Sequence, residues 1–180
     1  MSDLVVFTYK GEIGASAALA HVVTQKQENI QKPLLAIEDA AVAVKTPKHK
    51  VKINQTMENA VKGSRTAGAG LWGLLIGLLF GGPLLVAAVA MGISSLLGRK
   101  IDLGIDNDFI DSVSNGLEPG DSALFLLVNG ATADQVAEAL GDHQGTLYHT
   151  TLSDEAAASL AEASTNEELA GAIESENADD

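Results

Sequence analysis

Hydrophobic spacing alternates between strand-like and helix-like periods along the first third of the chain. Leu4 to Tyr9 (LVVFTY) is short, β-branched and aromatic, and it predicts a strand. Gly11 breaks it. From Glu12 to about Gln31 the apolar residues Ile13, Ala17, Ala20 and Val23 fall on one helical face, and Pro33 stops that helix. Ala40 to Val44 (AAVAV) predicts a second strand. Thr46-Pro47 then opens a turn, and Val51, Ile53 and Gln55 alternate with Lys52, Asn54 and Thr56 as a third strand. The second and third strands read as a hairpin.

The last third repeats the alternation. Asp106 can cap a short helix through Asn115 that brings Phe109, Ile110 and Val113 together. Pro119-Gly120 is a turn. Ser122 to Val128 (SALFLLV) is continuously apolar, as expected of a strand covered on both faces or central in its sheet. Thr132, with Gln135 three residues on, forms a capping box for a helix that buries Val136, Ala139 and Leu140 and ends at Gly141. Gly145 to Thr150 predicts another strand. Ser153 and Thr165 open two further helices, and ESENADD is a frayed acidic end.

Between these parts, Thr66 to Gly98 carries no charge at all and is fenced by Arg65 and Arg99. The run is longer than one bilayer crossing needs and too short for two comfortable ones. Gly81-Gly82-Pro83 cuts it near its middle, where a helix cannot continue cheaply. It therefore predicts two helices of about 15 residues, each spanning roughly 22 Å. Both ends of such a hairpin return to one side. That is what strands before and after it require if they share one sheet.

With the insertion removed, the order is strand, helix, strand, strand, helix, strand. The predicted fold is α+β: a ferredoxin-like split βαβ domain with an inserted β-hairpin, a glycine-rich apolar helical hairpin and C-terminal helices. The corresponding segments are 1–56 and 106–152 for the two halves of the α/β domain, 57–105 for the hairpin, and 153–180 for an acidic helical extension.

Small residues recur every fourth position in the first half of the run, at Ala69, Gly73, Gly77 and Gly81, and in the second half at Ala90, Ser94 and Gly98. Such spacing lets helix backbones approach closely, either within one hairpin or between copies of the chain. Ala69, Gly73, Gly77, Gly81, Gly92 and Gly98 are the candidate packing residues. Trp72 stands where an interfacial aromatic would sit, and Lys62, Arg65, Arg99 and Lys100 flank the run as candidates for contact with lipid headgroups.

Charge sharpens this picture. The net charge of −13 divides unevenly: nine Lys/Arg and six Asp/Glu lie up to Arg65, while eighteen Asp/Glu and no Lys/Arg follow Lys100. An acidic surface of that kind repels phosphate backbones, which argues against nucleic-acid partners. There is no cysteine, which rules out disulfides and thiolate chemistry. The N-terminus lacks the basic and apolar regions of a secretory signal, so the soluble parts are expected on the cytoplasmic side of a membrane.

Catalytic and cofactor chemistry finds little support. His21, His49, His143 and His149 show no ligand spacing, although a site built from His143 and His149 is conceivable. Asp102, Asp106, Asp108 and Asp111 cluster without the EF-hand pattern and read as helix-capping carboxylates. There is no nucleophile elbow, P-loop or dinucleotide fingerprint. No catalytic residue, metal site, cofactor or small-molecule ligand is expected.

Several segments together carry a family likeness: LVVFTY, IEDAAVAVK, WGLLIGLLFGGPLLVAAVAMG, GIDNDFIDSV, and LEPGDSALFLLV followed by YHTTLS. In these the chain resembles a bacterial family of predicted membrane proteins, domain of unknown function 1269. The resemblance implies membrane association without enzymatic activity, and it supplies no catalytic residues. The expected function is that of a membrane-associated structural or scaffolding protein whose partners are the lipid bilayer and itself, as a homo-oligomer. A pore or transport component and a membrane-tethered ligand-binding regulatory module are the alternatives.

Overall fold

The computed structural model describes residues 2–28, 32–57, 69–80, 105–143, 145–154 and 158. The fold is α+β, built on a five-stranded antiparallel sheet of β1 (Ser2–Tyr9), β2 (Ile37–Lys45), β3 (Val51–Thr56), β4 (Ser122–Val128) and β5 (Thr146–Leu152) in the order β3-β2-β4-β1-β5. β4 lies at the centre, between β2 and β1, which is why both of its faces are apolar from Ala123 to Val128. The predicted hairpin of β2 and β3 is present and forms one edge.

Side chains alternate across the sheet, so each strand feeds two cores. On one face Val5 and Phe7 of β1, Ala40 and Val42 of β2, and Leu124, Leu126 and Val128 of β4 meet α1 (Gly14–Glu28), α2 (Lys32–Leu35) and α5 (Ala133–Leu140). Helix α1 buries Ala15, Ala18, Leu19, Val22 and Val23. This corrects the expected phase: Ile13 precedes the helix and is 79% exposed, and Ala20 faces solvent. The helix is rich in alanine, so two apolar stripes compete. The one chosen sets Ala15 and Ala18 beside the bulkier Leu19 and Val22, which lets the helix approach the sheet closely. Ala15 N–H donates to Ser122 Oγ at 3.1 Å. Pro33 does not lie beyond a single long helix but within the four-residue α2.

The other face carries Leu4 and Val6 of β1, Ala41 and Ala43 of β2, Ala123 and Phe125 of β4, and Leu152 of β5. Two helices cover it: α3 (Ala69–Phe80) and α4 (Asn107–Gly116). Helix α4 begins as expected, with the Asp106 side chain accepting from Asp108 N–H and with Phe109 and Val113 buried. Thr132 and Gln135 make the predicted capping box of α5. Helices of the described residues thus flank the sheet on both sides, and part of the apolar insertion supplies one of the flanking layers.

The expected second helix of the apolar run, its Gly-Gly-Pro turn and the helix opening at Thr165 lie outside the described residues. Among the described residues, no helix is long and apolar enough to cross a membrane.

Candidate functional site

Helix α3 is the most distinctive element that the sequence brings to the sheet. Its residues, AGLWGLLIGLLF, include none that is polar or charged. Trp72, Leu75, Ile76 and Leu79 recur at i, i+3, i+4 and i+7, and all four are at most 3% exposed against the sheet. Beneath them the strands present a shallow floor, since Ala43 pairs with Ala123 and Ala41 with Phe125 in register. Small residues below are matched by large ones above. The rings of Trp72 and Phe125 lie 6.4 Å apart and tilted, and Phe80 meets Phe125 edge-on at 6.4 Å.

A buried indole N–H needs an acceptor. Trp72 Nε1 finds it in Asp39 Oδ2 at 2.9 Å. A bulge makes this contact possible. Opposite β4, Ile37 pairs with Val128 and Asp39 with Leu127, so two residues of β2 face one step of β4. In a regular strand Ile37 and Asp39 would point the same way. The extra residue re-aims the strand, leaving Ile37 on the α1 side and turning Asp39 toward α3. Asp39 Oδ1 also accepts from Ala40 N–H at 2.8 Å. Next to it, Lys26 of α1 donates to the Ile37 carbonyl. Burial lowers the Lys26 pKa, while the carboxylates of Asp39 and Glu38 oppose that shift.

Of the candidate packing residues, Ala69 is the first residue of α3, and Gly73 and Gly77 are buried. Gly81, Gly92 and Gly98 lie outside the described residues, as do Lys62, Arg65, Arg99 and Lys100. Trp72, read from sequence as an interfacial aromatic, is fully buried against the sheet. The sequence position near the start of an apolar run fits both placements. The deciding partner, Asp39, lies thirty-three residues away in another element.

His149 is exposed on β5, 3.3 Å from Asp3 Oδ1, while His143 lies beside His21. Among the described residues, no group of three or more His, Cys, Asp or Glu is arranged to hold a metal.

A polar lock ties the loops at one end of the sheet. Gly120 has φ +89°, as the second central position of a type II turn demands, with Pro119 before it and Asp121 N–H closing on the Glu118 carbonyl at 2.9 Å. The turn aims the Asp121 carboxylate inward, where it accepts from Gly11 N–H at 3.2 Å, Glu118 N–H at 3.1 Å and Lys10 Nζ at 3.0 Å. Ser122 Oγ donates to the Gly11 carbonyl at 2.7 Å. Burial pushes the Asp121 carboxyl up, but these hydrogen bonds outweigh it and hold it below the ordinary carboxylate range. Lys10 is raised by its hydrogen bonds to Glu118 and Asp121.

The Asp121 contribution is present above the carboxyl's unfolded pKa and fades as pH falls through its lower folded value. The Lys10 contribution is present below the ordinary lysine value and fades as pH rises through its raised one. The lock therefore holds across the neutral range and weakens at both extremes. Asp121→Asn is expected to cost about 1–2 kcal/mol at pH 7, because an amide N–H then confronts donors. Urea titrations at several pH values should show the gap from the parent protein shrinking below about pH 4. A gap that stays constant down to pH 2 would contradict the assignment.

These features define an α+β protein whose central sheet carries helices on both faces and takes one of them from a charge-free insertion. Residues 66–165 match the family model described as Protein of unknown function (DUF1269), and the chain belongs to that family. The matched span begins at the insertion and runs through α3, α4, β4, α5 and β5, leaving the LVVFTY and IEDAAVAVK strands before it. No curated protein and no solved structure matches the chain.

Proposed function

We propose that the chain is a membrane-associated structural or scaffolding protein without catalytic activity, which self-assembles through its glycine-rich apolar hairpin and keeps its α/β domain on the cytoplasmic side. One observation carries this reading. Helix α3 needs only the stripe of Trp72, Leu75, Ile76 and Leu79 to cover the sheet, yet it is apolar on every side. The other positions of the helix are apolar in sequence too, with leucine at 71, 74 and 78. A helix that is hydrophobic all round is sheltered all round. The run continues without charge to Gly98, so the shelter is greasy too: the second half of the hairpin, lipid, or further copies of the chain.

We read the fold in finer terms as a ferredoxin-like split βαβ domain. The order β2-β4-β1-β5, with α1 joining β1 to β2 and α5 joining β4 to β5, supports it; β3 extends the sheet at one edge and the apolar hairpin is the insertion. Helices pack on both faces of the sheet among the described residues.

Flotation through a density gradient with anionic liposomes, paired with light scattering in detergent, tests the reading. The parent chain should rise with the vesicles and scatter as more than one copy. Leu74→Lys combined with Leu78→Lys should stay at the bottom while keeping its far-UV dichroism. A parent chain that sediments as a monomer in detergent-free buffer would overturn it.

A further inference from the structure

The fold joins His21 of α1 to His143 of the 3₁₀ turn that follows α5, 122 residues apart in sequence. Their ring centroids are 5.0 Å apart with the planes inclined by 40°. Both rings are half-buried. We infer that His21 and His143 form a two-imidazole site for a divalent late transition metal such as Zn²⁺, Ni²⁺ or Cu²⁺, stapling α1 to the turn that leads into β5.

Three observations carry this. First, the spacing fits. Two imidazoles bound to one ion through metal–nitrogen bonds of about 2.0–2.1 Å, at angles between square and tetrahedral, place their ring centroids about 5 Å apart. Second, the tautomer of His21 is fixed in the sense that ligation needs. Its Nε2 lies 3.3 Å from the Ala139 carbonyl, and a carbonyl only accepts, so Nε2 is the donor and, in a neutral ring, Nδ1 is the nitrogen that offers a lone pair. A ligating histidine ordinarily donates its other N–H to such a carbonyl, which fixes the ring's orientation.

Third, the turn holding His143 is itself pinned. Tyr9 Oη donates to the His143 carbonyl at 2.6 Å, and Gly141 N–H closes α5 on the Glu138 carbonyl. Gly145 passes so close to the Thr8 carbonyl that a side chain there would collide with it. Both rings therefore hang from framework that does not have to be ordered at the moment of binding, which lowers the entropic cost of the site.

With no third protein ligand among the described residues, solvent completes the coordination shell. That sets the affinity in the micromolar rather than the nanomolar range. Imidazole paired with water oxygens selects borderline ions over Mg²⁺ or Ca²⁺.

Calorimetric titration of the tag-free full-length chain with ZnCl₂ and NiCl₂ tests the proposal. It should give one site per chain. His21→Ala and His143→Ala should each weaken that site at least tenfold, and His149→Ala should leave it unchanged. Because either of the first two substitutions could loosen the fold, Cu²⁺ electron paramagnetic resonance on the unaltered protein supplies a second reading, in which two equivalent nitrogens are expected in the bound spectrum. Binding that fails to saturate below millimolar metal, that persists equally in both single variants, or that shows only oxygen ligands would mean an adventitious ion only and a ring pair that merely packs. Any of these outcomes overturns the site.

Discussion

Trp72→Ala is expected to destabilise the fold by about 3–5 kcal/mol, as large-to-small changes at fully buried aromatics do. Two losses combine. The indole fills the space above the alanine floor of β2 and β4, so its removal leaves a cavity lined by side chains that cannot collapse far into rigid strands. It also takes away the donor that Asp39 Oδ2 accepts from inside a partly buried bulge. For a chain of this length that is a fall in Tm on the order of 10 °C. Trp72→Phe separates the two losses: it keeps most of the volume, drops the hydrogen bond and should cost about 1 kcal/mol. Urea unfolding followed by far-UV dichroism reads both. A Trp72→Ala variant as stable as the parent would mean that the sheet face does not depend on α3.

Phe125→Ala should be as damaging, about 3–5 kcal/mol, for a different reason. Phe125 stands on the central strand and meets both Trp72 and Phe80, so it is the point at which α3 is keyed to the sheet. Its loss and that of Trp72 should not add. The double variant is expected to fall short of the sum of the two single costs by about 0.5–1.5 kcal/mol, the coupling typical of an aromatic pair. Strict additivity would imply that the two rings do not interact and that α3 rests on the sheet through Leu75, Ile76 and Leu79 alone.

Most of the sheet was legible in the chain because its signals are local. LVVFTY and SALFLLV contain few polar residues, and the turn residues between strands name themselves. The capping residues Asp106 and Thr132 start their helices where short-range chemistry puts them. The misreadings come where two local answers are equally good. In α1, alanines on several sides let either of two stripes face inward, and the contact of Ala15 with Ser122, a residue of β4, settles the choice. In α3 every position is apolar, so the small-residue spacing of Ala69, Gly73 and Gly77 marks one face without saying which side meets the sheet. The placement of Trp72 depends on an aspartate that only a bulge in a different strand turns toward it. The pairing of His21 with His143 is equally invisible, since neither residue has a ligand at helical or loop spacing in its own neighbourhood.

The same contrast explains why an apolar run can mislead about its surroundings. Length and absence of charge measure how strongly a segment avoids water, and they say nothing of what replaces the water. In this chain the first part of the run, Ala69–Phe80, already has neighbours within the fold, the sheet and α4.

The chain has a single tryptophan, so its fluorescence reports α3 without labelling. The most direct test is to bind the protein to vesicles whose acyl chains carry bromine and to titrate the same sample with aqueous iodide. With Trp72 sealed between α3 and the sheet, neither quencher should reduce its emission appreciably. Strong quenching by the brominated chains would place the indole in the bilayer, strong quenching by iodide would place it in water, and either result would contradict the packing of the apolar helix on the sheet.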